Sequence, residues 1–566
     1  MNIHALYKNW TEMPLDDPDL GAELQEICGK DTEIEDRFYR YLSFGTGGLR
    51  GVIGAGTNRM NIYTIRYASQ GVANYIKTLP ATPSVVIAYD SRNKSELFAR
   101  EAAKTYAANG IKTYLFNQLM PTPVLSFAVR HLACTMGIVI TASHNPAEYN
   151  GYKVYDDNGC QITDDTANRV LSEINALDFF GDPKSLDFDT ALQNEQIVYL
   201  DKHVLDAFLQ AVQSQSVHPN LGAVSNLKMV YSPLNGAGNI PVRRILEKNG
   251  FDPIIVCEQE LPDGNFTTCP YPNPEEKEAL TRAIELAKQQ DADLLIATDP
   301  DCDRIGVALK SADGYRILSG NETGLLILTY LLETRNNLPD GAISVKTIVT
   351  SDMVYAIAKK HDIGVVEVLT GFKYIGEVIG RLETLGQRER FIFGFEESCG
   401  YLAGTHARDK DAVVAAMLMS ELAAYYKMQG KSVLDVLNAL YDEFGYYVTR
   451  LVSVELKGKE GAEKIQSIMA LLRADTPSTI GNATVTAFYD YQKEVALPQS
   501  VNSTIGITLP PANVLTFETD RQVKLIIRPS GTEPKIKIYY MAVAKNKAQG
   551  EQAIDLIAQA FSKYFT

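Results

Sequence analysis

Asp299-Pro300-Asp301-Cys302-Asp303-Arg304 sets three carboxylates at alternating positions of one short segment. From an extended loop such a spacing can converge on a single cation, and carboxylate oxygens suit hard ions such as Mg2+, Ca2+ or Mn2+. A calcium-binding EF-hand would need glycine at the sixth position of this string and glutamate at the twelfth. This chain has Arg304 and Lys310 there, so that reading fails. Mg2+ takes few protein ligands together with phosphate oxygens, which implies a phosphorylated partner group. A solvated acidic turn is the bland alternative.

Ser143, within Thr141-Ala142-Ser143-His144-Asn145-Pro146, puts a hydroxyl on a tight turn whose backbone Pro146 restricts. It suits a nucleophile or a phosphate carrier. An acyl-transfer serine would normally sit in a Gly-x-Ser-x-Gly elbow, and none surrounds Ser143. The adjacent His144 is no evidence of a triad, whose members meet through folding. A turn with a hydrogen-bonded serine and asparagine competes with the chemical reading. Gly45-Thr46-Gly47-Gly48-Leu49-Arg50-Gly51 offers amides and the charge of Arg50 to a phosphate. It matches neither the dinucleotide nor the Walker pattern, and a flexible turn fits it equally. Arg528-Pro529-Ser530-Gly531-Thr532-Glu533-Pro534-Lys535 joins a bidentate arginine, two hydroxyls, a glycine amide and a lysine, which together make a good anion receptor. Thr370-Gly371-Phe372-Lys373 and Gly394-Phe395-Glu396-Glu397-Ser398 add a cation and a pair of acceptors. Carboxylates beside a phosphate make sense if they hydrogen-bond sugar hydroxyls.

The elements that must position these residues share a pattern: a short apolar, β-branched run ends in a turn of small or charged residues. Val85–Ala88 runs into Tyr89-Asp90-Ser91-Arg92, Gly137–Ile140 into the Ser143 turn, and Leu294–Ala297 into Thr298 and the aspartates. Phe391–Phe393 and Leu525–Ile527 lead likewise into the glutamate and arginine loops. Such runs read as buried strands separated by helices, expected at Ser95–Asn109, Glu275–Gln290 and Asp411–Met428, which is an α/β pattern. Ligands gather at the carboxyl ends of strands in such folds. Phe180–Asn194, rich in Asp with broken periodicity, reads as a connection. A chain of 566 residues exceeds what one core supports, and boundaries are expected near 200, 320 and 445, giving domains 1–200, 201–320, 321–445 and 446–566.

With 54 Lys and Arg against 69 Asp and Glu, the formal charge is −15, which argues against broad nucleic-acid binding. A few convergent cations in a cleft can still attract a small anion. The seven cysteines are odd in number, scattered and free of any C-x-x-C pair, as expected for reduced thiols in the cytoplasm. Met1–Trp10 lacks the pattern of a signal peptide, and the sequence has no apolar run long enough to span a bilayer.

In their order along the chain these loops resemble the α-D-phosphohexomutase family, from about Ser43 to Lys535. The resemblance implies that Ser143 is a phosphoserine. It implies that Asp299, Asp301 and Asp303 hold one Mg2+, with the Ser143 phosphate completing the site. Lys153, ten residues on in Asn150-Gly151-Tyr152-Lys153, corresponds to a residue of proton transfer. Arg50 and Arg304 correspond to active-site arginines, and His144 joins the catalytic set as support for the local network. Thr370, Gly371, Lys373, Glu396, Ser398 and Lys410 fall to substrate recognition, and Arg528, Ser530, Gly531, Thr532 and Lys535 to a distal phosphate site.

Lys373, Glu396-Glu397-Ser398, Pro272–Lys277 and the long segment before Gly45 look like the branch of phosphoglucomutase-2, phosphopentomutases and bacterial α-phosphoglucomutases. Gly47-Gly48 departs from that branch's usual Thr-Ala-Gly. The implied reaction interconverts glucose 1-phosphate and glucose 6-phosphate, with glucose 1,6-bisphosphate as activator and intermediate. Phosphopentomutase, phosphomannomutase and glucose 1,6-bisphosphate synthase are the enzymatic alternatives, and a silent phosphosugar-binding scaffold is the non-enzymatic one. The implied partner is a small hexose phosphate, with no nucleic acid and no membrane, for a cytoplasmic monomer or homodimer. The implied fold is α/β: three related α/β domains with mixed sheets and a smaller C-terminal α+β domain around a central cleft.

Overall fold

The structure, a computed structural model, describes residues 2–565 other than 46, 80, 81, 457, 494, 496, 498 and 531–534. Its first sheet contains β1 (Gly48–Val52), β2 (Ser84–Tyr89), β3 (Lys112–Phe116), β4 (Met136–Ile140), β5 (Tyr149–Tyr155) and β6 (Ile197–Leu200), in the order β1-β5-β4-β2-β3-β6. Strands β4, β2, β3 and β6 run parallel; at one edge β5 pairs antiparallel with β4, and β1 pairs antiparallel with β5. The second sheet has β7 (Met229–Ser232), β8 (Ile254–Ile255), β9 (Leu294–Thr298), β10 (Ile305–Ser311) and β11 (Gly314–Ile317), in the order β11-β10-β9-β7-β8. The third has β12 (Ile343–Thr347), β13 (Gly364–Val368), β14 (Phe391–Glu396) and β15 (Gly400–Ala403), in the order β13-β12-β14-β15.

One plan is common to all three. A parallel pair (β2 and β3, β7 and β8, β12 and β13) receives a third parallel strand on its other flank: β4, β9 or β14. That strand then turns back antiparallel as β5, β10 or β15. The third strands are buried along their whole length, because both faces are covered; hence their near-continuous apolar sequences. The fourth sheet is entirely antiparallel: β16 (Tyr446–Glu455), β17 (Thr479–Ile480), β18 (Ala483–Asp490), β19 (Leu515–Thr519), β20 (Val523–Pro529) and β21 (Lys535–Ala544), ordered β16-β21-β20-β19-β18-β17.

The helix Ala412–Met428 is apolar all round and buried along most of its length, as a helix enclosed by other elements must be. Asp411 caps it, accepting from the N–H groups of Val413 and Val414. It packs on β9, β15 and the helices Asn239–Lys248 and Gly320–Thr334, so one apolar core runs through the first three sheets, from Val86 to Leu440. The fourth sheet has its own core, including Met469, Phe517 and Ile554. It meets the third through Ile526, Tyr539 and Met541 against Ile348, Val349 and Leu369.

The expected helices are found at Ser95–Ala108, Lys277–Gln290 and Ala412–Met428. Phe180–Asn194 is more than a connection: it contains the helix Phe188–Gln193, capped by Asp187, whose carboxylate accepts from Thr190 N–H at 2.9 Å. The Asp-rich break in periodicity is therefore a helix start. Phe180 packs its ring against Trp10 and Tyr63. All seven cysteines are unpaired thiols. Among the described residues no helix is long and apolar enough to cross a membrane.

Candidate active site

The chemistry-bearing residues of the three related units occupy one topological position, the loop by which the third strand reverses. The β4–β5 loop carries Ser143, the β9–β10 loop the aspartates, and the β14–β15 loop Glu397 and Ser398. Each loop turns on a non-glycine residue with left-handed backbone: Ser143 (φ 53°), Cys302 (φ 54°) and Cys399 (φ 61°). Such a residue lies roughly 1–2 kcal/mol uphill, so each turn must be held by its surroundings.

Around Ser143 the holding group is Arg92, buried at the end of the turn after β2. Its guanidinium donates to the carbonyls of Pro146 (2.8 Å) and Tyr149 (3.1 Å), and to those of Ser143 and Asn145. Asp90 pairs with Arg92 at 3.3 Å and accepts from the Thr141 hydroxyl at 2.6 Å; that hydroxyl in turn accepts the Ser143 N–H at 2.8 Å. The serine is thus presented with its backbone fully engaged. Its Oγ donates to Asp299 Oδ2 at 2.9 Å and lies 3.2 Å from His144 Nδ1.

Asp299, Asp301 and Asp303 are all buried, with ligand atoms within 4.8 Å of one another. Each divides its oxygens. Asp299 Oδ1 accepts the N–H groups of Asp303 and Arg304, both at 3.0 Å, and leaves Oδ2 to the serine. Asp301 Oδ2 accepts from Thr122 Oγ1 (2.9 Å) and Lys153 Nζ (2.8 Å). Asp303 Oδ2 lies 3.2 Å from Lys410 Nζ and 3.6 Å from Lys153 Nζ. The Oδ1 atoms of Asp301 and Asp303 are buried without a hydrogen-bond partner among the described residues. Three pinned carboxylates, each offering an oxygen, fit a hard divalent cation such as Mg2+. Burial, then the charges of Asp301 and Asp303, hold the Asp299 carboxyl far above the usual carboxylate range. Burial works the same way on Asp301, but the ammonium of Lys153 in contact with it outweighs that and holds it low.

Cations ring this cluster. Burial alone would favour neutral Lys153 and Lys410, but Asp301 and Asp303 keep the first charged and Asp303 and Asp409 the second. Arg304 Nη1 is tied to Glu275 at 2.6 Å, and Arg50 Nη1 donates to Asn145 Oδ1 at 3.3 Å. Burial, then the charges of Arg304 and Arg50, pull His144 down to about 2, so its ring is neutral. Glu396, at the end of β14, accepts the N–H of Gly371 at 2.8 Å, which fixes the Thr370–Lys373 turn against the β14–β15 loop. Thr370 Oγ1 is buried without a partner among the described residues, and Ser398, in the β14–β15 loop, is half-buried. Lys373 turns instead to Asp164 of the first unit, at 2.8 Å.

Arg528 lies near the end of β20, Ser530 follows that strand directly, and Lys535 opens β21, where its carbonyl accepts the Ser530 N–H at 2.8 Å. Gly531 and Thr532 lie outside the described residues. Burial lowers the neighbouring Lys537 ammonium, and the charges of Arg528 and Lys535 lower it further. Burial, then Glu396, push Glu397 up to about 7, against the attraction of Arg528. The fourth sheet's cationic hairpin therefore faces the third unit's acidic loop.

The sequence reading missed Arg92, Asp90, Thr122, Asp409, Glu275 and Lys537. For Asp90 and Arg92 a signal existed, since their turn was recognised as one that follows a strand.

Three consecutive family profiles match the chain: phosphoglucomutase/phosphomannomutase alpha/beta/alpha domain I over residues 41–180, domain II over 206–314 and domain III over 319–444. The phosphoglucomutase of Staphylococcus haemolyticus (strain JCSC1435) is 37% identical over 529 residues, covering 92% of this chain and 94% of its own. That of Staphylococcus aureus (strain MSSA476) is 36% identical, covering 91% and 92%. Among solved structures, the open form of Paramecium pp63/parafusin, a phosphoglucomutase, aligns with a TM-score of 0.69 at 18% identity over 93% of this chain and 95% of that one. A phosphoglucomutase/phosphomannomutase family protein from Burkholderia thailandensis gives 0.68 at 20% identity, over 92% and 97%. At these identities the two structures speak to the fold.

Proposed function

This chain belongs to the α-D-phosphohexomutase family, and from that premise we propose that it interconverts glucose 1-phosphate and glucose 6-phosphate through a phosphoserine at Ser143. The observation that carries the reading is the hydrogen bond of Ser143 Oγ to Asp299 Oδ2, which joins the candidate phosphate carrier to the candidate cation site, both buried. The staphylococcal relatives named phosphoglucomutase, at 37% and 36% identity, support glucose as the sugar.

In the proposed cycle phospho-Ser143 gives its phosphoryl group to the free hydroxyl of the sugar phosphate: the Oγ–P bond breaks, a sugar O–P bond forms, and the hydroxyl loses its proton. We assign Lys153, in its neutral form, to take that proton. Asp301 and Asp303 favour its charged form in the structure, so the step requires those carboxylates to be engaged elsewhere and the ammonium to have given up a proton first. The resulting glucose 1,6-bisphosphate turns round and returns its other phosphoryl group to Ser143, as the proton goes back. Mg2+ at Asp299, Asp301 and Asp303 would offset charge on the transferring phosphoryl oxygens. Neutral His144 supports Ser143 as a hydrogen-bond partner rather than as a cation. Arg50 and Arg304 supply positive charge near the transfer. Glu396 and Ser398, with Thr370, Gly371, Lys373 and Lys410, would hold the sugar. Arg528, Ser530, Gly531, Thr532 and Lys535 would grip the phosphate not in transfer. Exclusion of water protects the phosphoserine from hydrolysis, which calls for the fourth unit to close over the site.

Rates on glucose 1-phosphate, mannose 1-phosphate and ribose 1-phosphate, with Ser143→Ala beside the parent chain, test the reading. The parent should favour glucose 1-phosphate and carry one phosphoryl group by intact mass. The variant should carry none and lose activity by several orders of magnitude. Full turnover by Ser143→Ala, or preference for another sugar, would refute it.

A further inference from the structure

Thr122 opens the helix Thr122–His131, directly after Pro121, and is buried. The N-cap is Pro121, whose side chain cannot accept an N–H, and Thr122 takes the first helical position with its hydroxyl not engaged in capping. Its hydroxyl points out of the first unit and donates to Asp301 Oδ2 at 2.9 Å, and its N–H donates to the Asp301 carbonyl at 2.9 Å. One residue thus grips both the backbone and the side chain of the middle aspartate in the β9–β10 loop.

The grip has a directional consequence. The terminal torsion of an aspartate is broad, so a carboxylate held only by a flexible ammonium could present either oxygen. Asp299 is oriented by two backbone N–H groups, and Asp303 has Lys410 against one oxygen. For Asp301 the rigid donor is the Thr122 hydroxyl, and Lys153 reaches the same oxygen at 2.8 Å. Oδ1 is left buried and without a hydrogen-bond partner among the described residues. We infer that Thr122 is a positioning residue for the cation site, aiming Asp301 Oδ1 at the ion from the neighbouring unit. This rests on the reading above that the three aspartates hold a divalent cation.

The test is direct binding of Mn2+ to the full chain, followed through the electron paramagnetic resonance signal of the free ion. Thr122→Val keeps the shape and the backbone N–H but removes the donor. It should bind Mn2+ about tenfold more weakly, the scale of losing an outer partner of a metal ligand. Thr122→Ser, which restores the hydroxyl, should return affinity close to that of the parent. Thr122→Ala, free of the buried methyl groups, gives the same readout should the valine variant fold poorly. A purely structural role would lower unfolding temperature without moving the affinity of the folded chain. Equal Mn2+ affinity in parent and hydroxyl-free variants would overturn the inference alone. A parent that binds no Mn2+, or binds it undiminished after Asp299→Asn, would overturn the cation reading and this inference together.

Discussion

Ser143 holds a left-handed backbone (φ 53°) that nothing in its own side chain requires; the strain is met by Arg92, whose guanidinium engages carbonyls of Ser143, Asn145, Pro146 and Tyr149. Ser143 and the aspartates were legible in the sequence because each lies in one contiguous string. Arg92 and Thr122 were not, because their roles arise across 51 and 179 residues of chain. The Glu397 carboxyl is pushed from an ordinary 4.5 up to about 7, by burial first and then by Glu396. Between those values the folded chain keeps a proton that the unfolded chain has released, so stability falls as pH rises through the window and levels off above it. Glu397→Gln removes this contribution. Urea midpoints measured across the window should fall with pH less steeply in the variant than in the parent; parallel profiles would contradict the assignment.

At the scale of elements, three hairpin loops in equivalent places bring the site together. Tyr231 and its neighbours in β7 lead to a turn that cradles the aspartate loop. Ala237 N–H donates to the Pro300 carbonyl at 2.8 Å, and a Cβ on Gly236 would stand 2.5 Å from Pro300 Cα. Gly236→Ala should therefore destabilise the chain by about 1–3 kcal/mol through overpacking and weaken cation binding, because the loop that must move carries the proposed ligands. Denaturant midpoints and Mn2+ titration would check both; an unchanged affinity would show that the loop tolerates the shift. Strand-and-turn runs such as Leu294–Ala297 were readable from a continuous apolar stretch that ends in a turn of small or charged residues. The shared strand order was not, since pairing partners leave no local mark. The helix Phe188–Gln193 was hidden because its capping aspartate reads equally well as loop composition.

At the scale of the molecule, the first three units share one core while the fourth keeps its own. Between third and fourth runs an ionic path: Lys524 to Asp352 at 2.8 Å, Asp352 to Lys346 at 3.1 Å, and Lys346 to Glu367. Beside it lies a cavity of about 330 Å3, lined by Asp352, Thr449, Lys524 and Met541 among others. Lys524→Met removes the one member that β20 contributes to this path. Partial exposure of Asp352 reduces the loss below that of a fully buried pair, to roughly 1–3 kcal/mol. Calorimetry should show the fourth unit unfolding earlier, and KM for the sugar phosphate should rise as its cationic hairpin docks less firmly. A single unshifted transition would contradict this.

In the proposed cycle phosphate passes by way of Ser143 and never directly between sugar positions. Glucose 1-phosphate labelled with 32P, given in one equivalent to unlabelled phosphoenzyme and quenched within a turnover, distinguishes the two routes. The label should move onto Ser143 while glucose 6-phosphate emerges unlabelled. Labelled glucose 6-phosphate at first turnover, with no radioactivity on the protein, would contradict it.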